Sequence, residues 1–290
     1  MHGAWALAAA LPRRVRVQVT PAQEFRVTSD RFNDINSPQL RPVSRVIEAM
    51  AGEFSAKPNV NISIASTVPE GAGLGSSAAT MVAVAAAFSR LNSLGLGIDD
   101  IIRFSMVGEQ RIHGRPSGID PTVSALGGVI LFRPGSRPKK LSLDGVRSLI
   151  LSYSGKNRST KGQIGRVGRI RDRYPGLFSM LADGIGQLSL TAAEKMRKGD
   201  MEGLGNLLTI NHAALISLGV SNEVLDGMVD LLASLGSYGA KLTGAGGGGS
   251  VVAVAPEAKE KSIVRGLTAR GFETFKVSVP AGGVKSWLER

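Results

Sequence analysis

Apolar and polar residues alternate at Val15 to Val19 and at Phe25 to Thr28, as in strands that bury one face. The stretch from Pro42 to Phe54 carries the wider spacing of a helix. Val60 to Ala65 predicts another strand. A long Ala/Val-rich helix follows over Ser77 to Leu94, stopped at Gly95, and then a second helix over Asp99 to Gln110 with Asp99 as its N-cap. Residues Ile112 to Ala125, IHGRPSGIDPTVSA, read as irregular because two prolines and two glycines interrupt the period. A strand resumes at Gly127 to Phe132. After Pro134, Gly135 and Pro138, a short strand at Ser148 to Ser152 opens a second half dominated by helices over Ser159 to Asp172, Gly176 to Arg197, Met201 to Leu218 and Asn222 to Leu235. The end returns to strand, helix and strand at Val251 to Ala255, Glu257 to Arg270 and Phe272 to Val277. This order predicts an α+β protein of two lobes with a cleft between them. The N-terminal lobe spans 1–140 and the C-terminal lobe 141–290, with the boundary near residues 134 to 147.

Composition narrows the class. With 290 residues, 43% of them hydrophobic, the chain can bury a sizeable core. The Ala/Val-rich stretch from Ala78 to Phe88 is too short and too rich in alanine to span a bilayer. In the opening MHGAWALAAALPRR the charges follow the apolar core, the wrong order for a signal peptide, so it reads as ordinary structure. The absence of cysteine excludes a disulfide scaffold, a cysteine-based zinc site and a thiol nucleophile, and the expectation is a soluble cytoplasmic protein. A net charge of +12 invites a nucleic-acid partner. Its distribution argues against one: Arg166, Arg169 and Arg173 recur at helical spacing as a solvated face, and aromatic residues make up only 5%.

The most informative segment is PEGAGLGSSAA, Pro69 to Ala79, set between a strand and a helix. Gly71, Gly73 and Gly75 let the backbone approach a ligand, and the helix that follows directs its unpaired N–H groups and positive dipole end to the same place. Anion binding is one reading, and a turn that needs glycine for its geometry is the other. Ser76 and Ser77 could cap the helix or ligate a metal, and a magnesium ion would need a carboxylate partner, for which Glu109 is a candidate beside its reading as a surface acid. His113 follows Glu109 by four residues, the spacing of a metal pair, but Gly114 and Pro116 make helix continuation doubtful and favour a structural histidine. Asp120 in PSGID is either held rigidly to orient or deprotonate a hydroxyl, or closes an Asx-turn or caps the next segment. Gly244, Gly246 and Gly249 in KLTGAGGGGSVVAV satisfy G-x-G-x-x-G but lead into a strand, which fails the dinucleotide context. The glycines there point to close packing against the first loop or a substrate.

PEGAGLGSSAA resembles the second signature of the GHMP kinases, and KLTGAGGGGS resembles the third. Between and beyond them, GEQRIHGRPSGIDPTVSALGG, NRST at Asn157 to Thr160 and NHAALISLGVS are most similar to the mevalonate kinase branch, and the resemblance covers nearly the whole chain. It implies an N-terminal lobe like the second domain of ribosomal protein S5 and a ferredoxin-like C-terminal lobe. ATP and Mg2+ are implied, as is transfer of a phosphoryl group to the 5-hydroxyl of mevalonate by positioning and charge neutralisation. Carried over by position, Asp120 is catalytic, and Ser77 and Glu109 hold the metal. Pro69, Gly71, Gly73, Leu74, Gly75, Ser76, Ser77 and Ala78 wrap the nucleotide, while His113, Thr243, Gly244, Ala245 and Gly246 take the substrate. The expected state is a monomer or homodimer, with no nucleic acid and no membrane.

One family motif departs. Members carry a strand and turn PGKxxLxGEHxVVxG whose lysine lies near the catalytic aspartate, whereas here Met1 to Leu7 aligns only with its end and no lysine precedes Lys57. The expectation is that the natural protein is longer, and that these residues alone transfer phosphoryl groups poorly. The rival readings are a GHMP kinase for another alcohol such as phosphomevalonate, a nucleotide-binding relative without turnover, and a serine hydrolase using Ser76, His113 and Asp120, which lacks a G-x-S-x-G elbow.

Overall fold

A computed structural model describes residues 3–30, 40–69, 71–114, 116–141, 148–156, 160–278 and 282–288. Glu70, Arg115, the Asn157–Ser159 part of the NRST motif and the Met1–His2 start of the N-terminal comparison lie outside them.

In chain order the elements are β1 (Ala6–Ala9), β2 (Val15–Pro21), β3 (Arg26–Ser29), α1 (Arg41–Phe54), β4 (Val60–Ser66), α2 (Ser76–Leu91), α3 (Ile98–His113), α4 (Ile119–Leu126), β5 (Val129–Phe132) and β6 (Lys139–Leu141). They continue with β7 (Ser148–Tyr153), α5 (Thr160–Arg173), α6 (Pro175–Lys198), α7 (Met201–Ser217), α8 (Glu223–Ser234), β8 (Gly239–Leu242), β9 (Ser250–Val254), α9 (Glu257–Thr268) and β10 (Glu273–Ser278). Strands and helices are mixed as an α+β chain requires. The chain divides into two compact units that are discontinuous in sequence. One comprises Arg13–Pro69, Gly75–Gly127 and Gly282–Arg290, and the larger comprises Met1–Pro12, Glu70–Leu74 and Gly128–Ala281.

In the smaller unit β4 is the central strand, antiparallel to β2 and parallel to β3. Its alternation buries Val60, Ile62 and Ile64 and leaves the intervening residues exposed, which is the period of a strand with one covered face. That face packs on α1, whose Val43, Val46, Ile47, Met50 and Ala51 recur at three- and four-residue spacing, and on the Met81, Val84, Ala85 and Phe88 side of α2. Burying each of these large side chains contributes about 1.5–3 kcal/mol against leaving it in water. In the larger unit, β10-β7-β9-β8 form an antiparallel sheet with α8 and α9 on the face of Ala240, Leu242, Val251 and Ala253. A second sheet of order β1-β5-β6 shares a core with α6 and α7 around Val129, Ala192, Met196 and Leu204.

Several expectations change. Helix α3 is capped by Gly97, not Asp99, which sits inside the first turn where its charge favours the helix dipole. The supposedly irregular 112–125 stretch contains the end of α3, which reaches His113, and the whole start of α4. Gly118 in a left-handed conformation caps α4, and Pro121 falls within the first turn, where an N–H would have no intrahelical partner anyway. Helix α2 ends at Leu91 with Asn92 as C-cap, short of Leu94. Strands β1, β6 and β8 were not foreseen. Arg166, Arg169 and Arg173 do lie exposed on α5, although Arg166 also donates to the Gly219 carbonyl at 2.6 Å.

Candidate active site

Helix α2 begins where the glycine loop ends. Gly75, at φ 73°, is its N-cap and has no side chain with which to cap the first-turn N–H groups, which together with the helix dipole make this end a place for an anion. Ser76 and Ala78 lie in this first turn. The Ser76 carbonyl accepts from Thr80 Oγ1 at 2.9 Å, and Ala78 is buried.

Ser77 does not cap the helix. Its hydroxyl donates to Glu109 Oε1 on α3. The two helices can approach because Gly108 stands where any Cβ would intrude on Met81, with Met81 Cγ only 2.8 Å away. Met81 is one turn beyond Ser77, so the close crossing that packs Met81 on Gly108 also sets the hydroxyl against the carboxylate.

Glu109 is 3% exposed. Burial pushes its carboxyl above the usual range, against the lowering effects of the Ser77 hydroxyl and the His113 ring, and the Asp120 charge raises it further. His113, one turn later on α3, places Nε2 3.7 Å from Glu109 Oε2. The helix therefore does continue to His113, and the Glu109–His113 spacing becomes an actual neighbour relation. Asp120 occupies the first turn of α4. A Cβ built on Gly75 would lie 3.7 Å from Asp120 Cβ and 4.0 Å from its Oδ1, so the aspartate flanks the entry to α2. Gly75, Ser77, Glu109, His113 and Asp120 thus gather within one unit, with Pro69 at the end of the segment leading to the loop.

Gly71, Gly73 and Leu74 belong to the larger unit, as do Thr243, Gly244, Ala245 and Gly246. There the two glycine-rich segments meet directly: Ser250 Oγ donates to the buried Ala72 carbonyl at 3.0 Å. Thr243 opens the second segment by donating its N–H to the Ser250 carbonyl at 2.9 Å, and its hydroxyl reaches the same oxygen at 3.2 Å. At Gly246, φ is 77° and a Cβ would collide with the Val220 carbonyl, so only glycine fits.

The donor set suits a hard cation. A hydroxyl and a buried carboxylate disfavoured as an anion by its surroundings are the one or two protein oxygens that Mg2+ takes when phosphates and water complete its shell. The uncapped start of α2 suits phosphate. Gly108 and Ser250 were missed from sequence. A lone glycine inside a helical pattern was the available signal for the first, and for the second it was the glycine-rich segment that Ser250 closes, which was expected to pack against the first loop or a substrate.

The profile for GHMP kinases N terminal domain matches residues 41–128, and that for GHMP kinases C terminal matches residues 192–273. Mevalonate kinase of Thermococcus sibiricus is 36% identical over 252 residues, covering 85% of this chain and 74% of that protein. The chain belongs to the GHMP kinases. Mevalonate kinase of Aeropyrum pernix is 31% identical over 301 residues, covering 98% of this chain and 92% of the relative. The crystal structure of L. major mevalonate kinase in complex with R-mevalonate superposes with a TM-score of 0.82 at 27% identity, covering 98% of this chain and 91% of that one. As a GHMP kinase the chain is an ATP-dependent small-molecule kinase with the family's two-domain fold, and the hydrolase reading of Ser76, His113 and Asp120 falls away. Among the described residues no helix is long and apolar enough to cross a membrane.

Proposed function

We propose that this GHMP kinase is a mevalonate kinase, transferring the γ-phosphoryl group of ATP to the 5-hydroxyl of (R)-mevalonate. The observation that carries the reading is the Ser77–Glu109 pair at the open start of α2, with Asp120 beside Gly75. In this reading Asp120 accepts or orients the hydroxyl proton, the freed oxygen attacks the γ-phosphorus, and the bond to the β–γ bridging oxygen breaks to release ADP. Ser77 and Glu109 would hold Mg2+, which when bound would neutralise charge on the phosphates. Backbone N–H groups of Gly71, Gly73, Leu74, Gly75, Ser76, Ser77 and Ala78 cradle the nucleotide phosphates, with Pro69 leading into the segment. His113, Thr243, Gly244, Ala245 and Gly246 contact the alcohol substrate. Residues 1–140 supply the ATP-binding lobe and 141–290 the second lobe of a monomeric or homodimeric cytoplasmic enzyme with no nucleic-acid or membrane partner.

The test is ADP release with ATP, magnesium and either mevalonate or phosphomevalonate. Turnover with mevalonate alone supports the reading. Turnover confined to phosphomevalonate would replace it with the neighbouring activity, and nucleotide binding without turnover of either would leave a binding relative.

A further inference from the structure

Strand β8 is the outer strand of its sheet, so among the described residues one backbone face of Leu242 has no strand to pair with. Side chains complete it instead. The Leu242 N–H donates to Nδ1 of His212 on α7 at 3.4 Å, and its carbonyl accepts from Lys241 Nζ at 2.6 Å. Leu242 immediately precedes Thr243, the first residue of the glycine-rich turn.

His212 is buried, at 4% exposure, and is held from behind. Its Nε2 lies 3.1 Å from Asp226 Oδ1 on α8, outside good hydrogen-bond geometry, and the same carboxylate oxygen accepts from the Ser221 hydroxyl. The α7–α8 connection touches the turn at a second place, where the Gly247 N–H donates to the Val220 carbonyl at 2.7 Å. An imidazole nitrogen that accepts an N–H carries no proton, so the neutral ring's proton sits on Nε2, facing Asp226.

We propose that His212 is a positioning residue for the turn from Thr243 to Gly249, clamping the Leu242 peptide only while its Nδ1 is unprotonated. Protonation would set two N–H groups against each other, release the strand end, and loosen the turn that the proposed function assigns to substrate, a reading on which the kinetic part of this inference rests. The surroundings hold the ring neutral. Burial lowers its pKa first, and the Lys241 charge on β8 lowers it further, while Asp226 and Asp230 on α8 oppose them. The Lys241 amine is itself enclosed although the residue keeps some accessible surface, and burial pushes it down to about 8. A histidine with a depressed folded pKa contributes stability that is present above about pH 6.5, its unfolded value, and is lost as pH falls through the folded value.

Two measurements test this. Hydrogen exchange at the Leu242 amide, compared with β9 amides in the same sample, is followed from about pH 7.5 to about pH 5. Protection should fall selectively in the wild type and stay constant in His212→Asn, whose side-chain oxygen accepts an N–H without titrating. In parallel, KM for mevalonate should rise roughly tenfold across that range if the competent turn drops to about a tenth populated, with kcat changing less and the rise absent in His212→Asn. Selective loss of Leu242 protection in a protein that does not phosphorylate mevalonate upholds the clamp and removes the activity reading. Leu242 exchange that tracks β9 at every pH, or the same fall in His212→Asn, overturns the inference.

Discussion

Ser77 in the first turn of α2 donates its hydroxyl to Glu109 near the end of α3, across 32 residues of sequence. Neither helix has a local reason to present these groups to each other. The relation follows from the close crossing at Met81 and Gly108, which admits no Cβ on the α3 side. It leaves a carboxylate buried, with the Ser77 hydroxyl on one oxygen and the His113 ring 3.7 Å from the other.

Glu109→Gln separates binding from stability. The amide can still accept from Ser77 but carries no charge to bury, so the metal-free variant should match or exceed the wild type in stability by about 1 kcal/mol. Its magnesium requirement for ADP release should rise, and Ser77→Ala should raise it as well. Denaturant titration and magnesium dependence measured on the same preparations check both.

The raised carboxyl of Glu109 has a pH signature. Because its folded pKa lies above the ordinary 4.5, its contribution to stability is fully present below that value and is lost as pH rises through the folded one. Thermal melts of the metal-free protein should show this loss and those of Glu109→Gln should not. At neutral pH, magnesium with a nucleotide should raise Tm more in the wild type than in Glu109→Gln.

Asp120 lies on the exposed side of the same group, in the first turn of α4. Asp120→Asn keeps the shape and removes the proton acceptor. Turnover should fall by roughly 10²–10⁴-fold with nucleotide affinity nearly intact. Unchanged turnover would overturn its assignment.

Gly246→Ala and Gly155→Ala form a matched pair. Both residues have positive φ, but a Cβ at Gly246 strikes the Val220 carbonyl while one at Gly155 meets open space. The second should cost only the left-handed strain of about 1–2 kcal/mol, and the first more, on the order of 3–5 kcal/mol. Chemical denaturation of the two variants measures the difference.

The alternation of β4 and the helical spacing of α1 were legible because each buries one face, and burial imposes a period on the residues themselves. The loop and the start of α2 were legible for a similar reason, since positive φ at Gly71, Gly73 and Gly75 restricts the residue type. Helix α4 was not: Gly118 and Pro121 look like breakers in isolation and become a cap and a first-turn residue only once the helix has a place to begin. Strands β1, β6 and β8, reading ALAA, KKL and GAKL, carry no alternation worth the name and exist because β5 and β9 offer partners.

The sequence by itself determined the family, the glycine loop with its helix, and the residue types able to do phosphoryl transfer, because these depend on local backbone geometry and on side-chain chemistry. Tertiary structure alone decided that Ser77 meets Glu109, that Asp120 stands beside Gly75, and that His212 completes the edge of β8. These contacts join residues distant in the chain, and their distances are set by how closely helices and strand edges pack, which no local pattern encodes.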